Sequence, residues 1–228
     1  MELLARKETE NIRKMAITMA TLVEEAVRAS IHAYLTLDSR QANAVVEKDG
    51  EINMLEMKID KAVFECLALK APVASDLRLL FSIQKMNKDL ERIGDHAVNI
   101  AQAAINSQSM GETENVHGKD IETMASITQR MLTDAITCFV QSDSQLALKV
   151  LERDDQVDEL NLAMNREVIR LAKKNLASIE AALELLRVSK NLERIGDLST
   201  NIAEDVIFQA QARDIKHHGQ PEPPGGNS

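Results

Sequence analysis

The sequence predicts an all-α protein, built from two pseudo-symmetric antiparallel three-helix bundles that arose by internal duplication. Strand-forming aromatic residues make up only 2% of the 228 residues, and Trp is absent. Apolar residues recur at steps of three and four along long segments. The phrase Lys88–Gln102 returns 102 residues later as Lys190–Glu204, with ten of fifteen positions identical. These observations together predict six long helices, three in each repeat.

Each predicted helix of the first repeat begins and ends at a recognisable signal. The apolar residues of the first helix alternate by three and four, as in packed bundles: Ile12, Met15, Met19, Leu22, Ala26, Ala29 and Ala33. The segment 37–39 ends this helix and caps the second, which continues until Ala71-Pro72 because proline breaks helical hydrogen bonding. Ser75 or Asp76 is expected to cap the third helix.

The second half repeats this plan. Its segment 151–154 parallels 46–49 at an offset of 105, so the three-residue difference falls between the second and third helices. We therefore divide the chain into a first three-helix repeat (1–110), a second three-helix repeat (111–212) and a disordered tail (213–228). The tail is rich in Pro, Gly and His, a composition that does not build a core.

Charge and apolar patterning exclude several classes of protein. The net charge of −9 argues against nucleic-acid binding, which needs a clustered basic surface. Cys66 and Cys138 sit among apolar residues and are expected to be buried, reduced thiols. The first residues open into a charged helical segment, so we expect no signal peptide, and no apolar run reaches about 18 residues, the length that would span a membrane. We expect a soluble cytoplasmic protein that reaches a membrane only through partners.

Acidic residues recur at helical spacing in both repeats. Residues four apart share a face of a helix, and four pairs show this spacing: Asp49/Asn53, Glu91/Asp95, Asp154/Asp158 and Glu193/Asp197. Antiparallel neighbours bring the first pair toward the second and the third toward the fourth. Clustered carboxylates repel unless they are solvated, protonated or bound to cations, and oxygen ligands suit Mg²⁺, Mn²⁺, Ca²⁺ or iron. The alternative interpretation is that the acids line solvated helix faces.

Other residues of the repeated phrase have two interpretations each. Gly94 and Gly196 indicate either a close approach of two helices or room for a bound species. Arg92 and Arg194 are candidates for binding an anion or a partner carboxylate, or else form surface ion pairs. No Ser/His/Asp set and no Gly-rich phosphate loop is visible, so we expect a protein without enzymatic activity. A metal-dependent phosphohydrolase is the alternative.

The duplicated Leu-Glu-Arg-Ile-Gly-Asp, the Asn-Ile-Ala that follows it, and the segment Ala71–Arg78 resemble the PhoU family over about residues 5 to 210. The resemblance implies two three-helix bundles in a cytoplasmic homodimer. It also implies a negative regulator of phosphate-starvation signalling, the Pho regulon, and of phosphate uptake. The implied partners are the ATPase subunit of a phosphate ABC transporter and a sensor histidine kinase.

The resemblance further implies metal binding through the acidic pairs, with Mg, Mn, Fe and Zn not distinguished. Three pairs carry the family's Glu/Asp-x-x-x-Asp pattern, whereas Asp49 is followed by the neutral Asn53, which weakens the first-half site. Ala71–Arg78 has no second-half counterpart, so partner binding is expected to be asymmetric. The candidate partner-binding residues are Asp76, Arg78, Arg92 and Arg194.

Overall fold

The computed structural model describes residues 2–70, 72–110, 119–174 and 179–211. Seven helical segments run through them: α1 (Glu2–Thr36), α2 (Ser39–Lys70), α3 (Ala74–Ser109), α4 (Lys119–Gln141), α5 (Ser144–Leu151), α6 (Asp154–Lys174) and α7 (Ile179–Gln211). The predicted all-α fold is confirmed. The boundary between residues 110 and 111 stays a prediction, and the predicted tail (213–228) lies outside the described residues.

The helices form two bundles that pack on each other. In the first, α1, α2 and α3 contact one another, and in the second α7 packs against α4, α5 and α6. The bundles meet mainly where α3 lies along α7, with a smaller contact between α1 and α4. Arg13 Nη2 donates a 2.7 Å hydrogen bond to the Val140 carbonyl across the smaller contact. One cluster of buried apolar residues runs through both halves. It includes Leu90 of α3 and Leu192 of α7, which are both fully buried.

The first turn of each repeat has the same backbone geometry. Leu37 and Ser142, which are equivalent by the duplication, both have positive φ angles, 54° and 55°. The following Asp38 N–H donates to the Ala33 carbonyl at 2.9 Å, and Asp143 N–H donates to Cys138 at 3.0 Å. This is the pattern in which a left-handed residue closes a helix end. The prediction that 37–39 ends one helix and begins the next is confirmed.

The structure differs from the sequence-based expectation at two helix ends. The fifth predicted helix is interrupted at residues 152–153, which divides it into α5 and α6. At the break, Arg153 forms an ion pair with Asp134 of α4, with 2.6 Å between Nη1 and Oδ2. The equivalent residues of the first repeat, Lys48 and Ala29, cannot form this pair because alanine carries no charge. The expected cap of α3 is also wrong: the N-cap is Val73, which makes no side-chain hydrogen bond.

The two cysteines behave as expected. Cys66 and Cys138 are both free and buried, and burial raises the pKa of the Cys138 thiol to about 12. A thiol with such a high pKa is a poor nucleophile near neutral pH. Within the described ranges, no helix is long and apolar enough to cross a membrane.

Replacing Ser142 by glycine tests the left-handed turn. A residue with a Cβ pays roughly 1–2 kcal/mol in this conformation, and glycine avoids that strain at some cost in chain entropy. We expect Ser142→Gly to raise the free energy of unfolding by about 0.5–1 kcal/mol in urea denaturation. The control Ser142→Ala keeps the Cβ and should give no gain. Equal effects of the two variants would contradict the strain at this turn.

Candidate functional site

Two glycines let neighbouring helices approach at equivalent places in the two repeats. A Cβ built on Gly94 of α3 would lie 3.3 Å from Ile52 Cδ1 and 3.8 Å from Asp49 Oδ1 of α2. A Cβ on Gly196 of α7 would lie 3.6 Å from Val157 Cγ1 and 3.8 Å from Asp154 Oδ1 of α6. The close-approach interpretation agrees with the structure at Gly94, whereas a Cβ on Gly196 would meet only ordinary van der Waals contacts. At both positions an aspartate lies beside the repeated acidic motif.

Three of the predicted second-half acids converge. Asp158 of α6 and Glu193 and Asp197 of α7 each offer an oxygen, and these atoms lie within 4.8 Å of one another. Asp158 is exposed, while the other two are partly buried. Three carboxylate oxygens at a partly open surface match the donor set of Mg²⁺ or Mn²⁺, which keep water ligands as well. The group therefore fits a divalent cation by both donor type and spacing.

Burial and neighbouring carboxylates disfavour the ionised forms of two second-half acids, Asp154 and Asp197. Burial, then the charges of Asp197, Asp158, Asp155 and Glu193, raise the pKa of the Asp154 carboxyl to about 6. Burial and the charge of Glu193 also raise the pKa of Asp197, against the opposing Arg194. A bound cation would offset this repulsion, because an opposite charge favours the ionised carboxylates.

The first-half acids are less tightly assembled. Asn53 Nδ2 donates a 2.8 Å hydrogen bond to Asp49 Oδ2, where the second half has the carboxylate of Asp158. Burial raises the pKa of Glu91, and the charge of Asp95 adds to the rise. Burial also raises the pKa of Asp95, to which the charge of Asp49 adds. Across the residues that the structure describes, only the second-half acids form a group of three convergent ligands.

The structure explains the difference through residues that the sequence analysis missed. In the first half, Lys88 Nζ pairs with Glu56 of α2 at 3.0 Å. The second-half equivalent of Glu56 is the neutral Asn161, and the equivalent Lys190 instead lies 2.6 Å from Glu193 Oε1. Comparing Glu56 with Asn161, its equivalent at the offset of 105, would have revealed this difference. Lys190 consequently offsets part of the negative charge of Glu193.

The four candidate partner-binding residues occupy two regions. Asp76 and Arg78 lie partly buried in the first turns of α3. Arg92 and Arg194 line a cleft between α3 and α7. Arg194 Nη1 also donates to Asp197 Oδ2 at 3.0 Å, so the surface ion pair expected as an alternative is present at this residue. Their partner-binding roles stay predictions.

The fold and the repeated acidic motifs define a duplicated helical-bundle protein with one acidic face per repeat. Residues 16–104 and 121–206 each match the family model described as the PhoU domain. The chain therefore belongs to the PhoU family. It is 36% identical over 212 residues to the phosphate-specific transport system accessory protein PhoU homolog of Pseudomonas aeruginosa, covering 93% of this chain and 87% of that protein. It is 32% identical over 215 residues to the phosphate-specific transport system accessory protein PhoU of Escherichia coli K12, covering 94% and 88%.

Solved structures agree with this assignment. The crystal structure of PhoU from Pseudomonas aeruginosa superimposes with a TM-score of 0.87 at 36% identity, covering 91% of this chain and 99% of that one. The phosphate transport system regulatory protein PhoU from Streptococcus pneumoniae gives a TM-score of 0.84 at 26% identity, covering 93% and 99%. The family resemblance expected from the repeated motifs is confirmed.

Alanine substitutions at the two glycines test the close approach. Alanine favours helix over glycine by about 1 kcal/mol. We expect Gly196→Ala to raise the free energy of unfolding by up to that amount, because its Cβ meets only ordinary contacts. Gly94→Ala should gain less, because Ile52 Cδ1 would lie at 3.3 Å. Adding Ile52→Val should give a favourable coupling in a double-mutant cycle. A larger gain at Gly94 would contradict the distances.

The raised pKa of Asp154 predicts a pH-dependent penalty. Its folded-state pKa of about 6 lies above the unfolded value of about 3.9, so ionisation costs the folded state stability as pH rises through this window. With chelator present, we expect Asp154→Asn to stabilise the protein at pH 7.5 by about 1 kcal/mol, a screened value for a half-exposed carboxyl. Urea denaturation should show the gain vanishing near pH 4. A gain that persists at pH 4 would contradict the electrostatic origin.

Proposed function

We propose that this chain is a non-enzymatic cytoplasmic regulator of phosphate homeostasis. It lowers phosphate-starvation gene expression and phosphate uptake by linking the ATPase subunit of a phosphate ABC transporter to a sensor histidine kinase. The observation that carries this proposal is the family match in both repeats. The relatives are named accessory or regulatory proteins of phosphate transport, which supports regulation rather than catalysis.

Exposed apolar side chains support a role in protein binding. Three of them on the first repeat recur at equivalent second-half positions: Met57 and Leu162, Phe64 and Ile169, Phe81 and Leu183, all more than half exposed. Phe64 of α2 and Phe81 of α3 stand at matching heights of the antiparallel helix pair, because the Gln84–Asp60 hydrogen bond fixes which residues of α2 and α3 lie side by side. Clustered exposed apolar surface is typical of protein interfaces. A homodimer and a transporter or kinase contact are both consistent with two such surfaces.

The metal proposal concerns the second-half acids. Asp158, Glu193 and Asp197 would hold a divalent or iron cation, with Asp154 beside them. The cation would neutralise repelling carboxylates and join α6 to α7, stiffening the second bundle. Asp49, Asn53, Glu91 and Asp95 would form a weaker first-half site, because Asn53 supplies no charge and already binds Asp49.

The regulatory proposal predicts the phenotype of a strain that lacks the chain. We expect phosphate-responsive reporter genes to remain switched on in rich phosphate, and the wild-type gene to restore repression. Phe64→Asp combined with Phe81→Asp should fail to restore it, because both charges fall on the proposed partner surface. Leu148→Asp on α5 places a charge at an exposed apolar residue outside that surface; it is the control and should repress normally. Normal repression without the chain would rule the proposal out.

Metal content should differ between the halves. We expect elemental analysis of protein purified without chelator to show a larger loss of metal in Glu193→Ala and Asp197→Ala than in Glu91→Ala and Asp95→Ala. Glu180→Ala, an exposed acid of α7, should leave the metal content unchanged. Equal losses in both halves would contradict the assignment of the stronger site.

A further inference from the structure

We propose that the cleft between α3 and α7 binds a small tetrahedral oxyanion of the phosphate class. The cleft has a volume of about 510 Å³ and is lined by Arg92, His96, Arg194, Asp197, Leu198, Thr200 and Asn201. It lies where the two repeats meet, and the two arginines are equivalent residues of the duplicated phrase. The inference goes beyond the regulatory proposal and does not depend on it.

The cleft concentrates positive charge on an acidic protein. The chain carries a net charge of −9, which repels anions in general. Two guanidinium groups nevertheless line this cleft with one carboxylate, that of Asp197. Glu193, outside the lining, lies 3.8 Å from Arg194 Nε and offsets part of its charge. Guanidinium groups present planar forks of N–H donors that match phosphate oxygens. Local charge of this sign is what a small anion needs to bind here.

Several donors of the cleft have no partner among the described side chains. Within the part of the chain that the structure describes, no hydrogen bond or ion pair engages Arg92 or the Asn201 amide. The charge of Arg92 acts on the neighbouring carboxyl of Glu91. The Thr200 hydroxyl already donates to the Asp197 carbonyl at 2.7 Å, so it presents only an acceptor. Arg194 pairs with Glu193 through Nε as well as with Asp197 through Nη1. Arg92, Asn201 and the N–H groups of Arg194 outside these two ion pairs are therefore the donors that we assign to the anion.

His96 is held in a defined orientation at the same cleft. Asn191 Nδ2 donates to the Arg187 carbonyl at 2.7 Å, which turns Asn191 Oδ1 toward His96. His96 Nδ1 lies 2.8 Å from that oxygen and consequently carries a hydrogen that it donates. The imidazole is thus anchored through one nitrogen, so that the ring is a fixed wall of the cleft. Leu198, the second-half equivalent of His96, forms part of the same lining.

Asp197 opposes anion binding in the present arrangement. Its Oδ2 accepts a 3.0 Å hydrogen bond from Arg194 Nη1, which withholds part of that guanidinium and adds a negative charge to the cleft. An anion must compete with this carboxylate for Arg194. Removing the carboxylate charge should therefore strengthen anion binding, whereas removing either arginine charge should weaken it. The two classes of variant make opposite predictions at one site.

Equilibrium dialysis with radiolabelled inorganic phosphate tests the proposal on the full chain. Chelator is present throughout, so that phosphate bridged by a metal at the acidic group does not contribute. We expect Arg92→Gln and Arg194→Gln each to weaken binding at least about tenfold, as loss of a charge-assisted contact does. Asp197→Asn should tighten it. Arg170→Gln, which removes an exposed arginine paired with Glu167, is the matched control and should bind as wild type.

Competition experiments identify the source of the phosphate group. Displacement of labelled phosphate by unlabelled phosphate or by glycerol 2-phosphate supports the proposal, and the tighter competitor indicates a free or an esterified ligand. Equal displacement by acetate at the same ionic strength would overturn the phosphate class. Absence of binding at millimolar phosphate, or equal weakening in the Arg170→Gln control, would overturn the site. Circular dichroism confirms that each variant remains folded.

Discussion

The packing of neighbouring helices at the equivalent residues Gly94 and Gly196 is the constraint on which the rest of the structure depends. At Gly94 the missing Cβ lets α3 lie against Ile52 of α2, and at Gly196 α7 lies against α6 with room for a single methyl group. In both places an aspartate oxygen lies 3.8 Å from the position of a Cβ. Glu91 and Asp95 lie within one helical turn of Gly94, and Glu193 and Asp197 lie within one turn of Gly196. Helix packing and the concentration of carboxylates are therefore one geometric consequence of a single short phrase, made twice by duplication.

The two copies have resolved the resulting repulsion in different ways. In the first repeat, Asn53 replaces a carboxylate and donates a hydrogen bond to Asp49, so part of the charge is removed. In the second, Asp158 keeps the charge, and the neighbouring carboxyl of Asp154 has its pKa raised to about 6. Lys190 and Arg194 neutralise only part of that charge. The two repeats thus share one helical scaffold, and the acidic face of the second repeat carries one carboxylate more than that of the first.

The sequence predicts most of the fold because its signals are local. The spacing of apolar residues and the turn at residues 37–39 each depend on residues close together in the sequence, and the repeated phrase is recognised by direct comparison of two short segments. The features it misses depend on how helices rotate against each other. The Glu56–Lys88 pair and the cleft holding Arg92 and Arg194 require the α2–α3 and α3–α7 packing. The break after Leu151 likewise accompanies an ion pair to α4, which no pattern along α5 reveals. The spacing predicts that Asp158 faces Glu193 and Asp197, but it does not predict that their oxygens lie within 4.8 Å of one another.

Anomalous diffraction from crystals soaked in Mn²⁺ is the most direct test of the claim that packing at the glycines creates a cation site. We expect a strong anomalous peak bounded by Asp158, Glu193 and Asp197, and a weaker one or none beside Asp49 and Asn53. A Gly196→Val crystal should lose the stronger peak, because the added side chain would separate α7 from α6. Absence of any peak among the three second-half acids, or a peak at the first-half acids alone, would contradict the account.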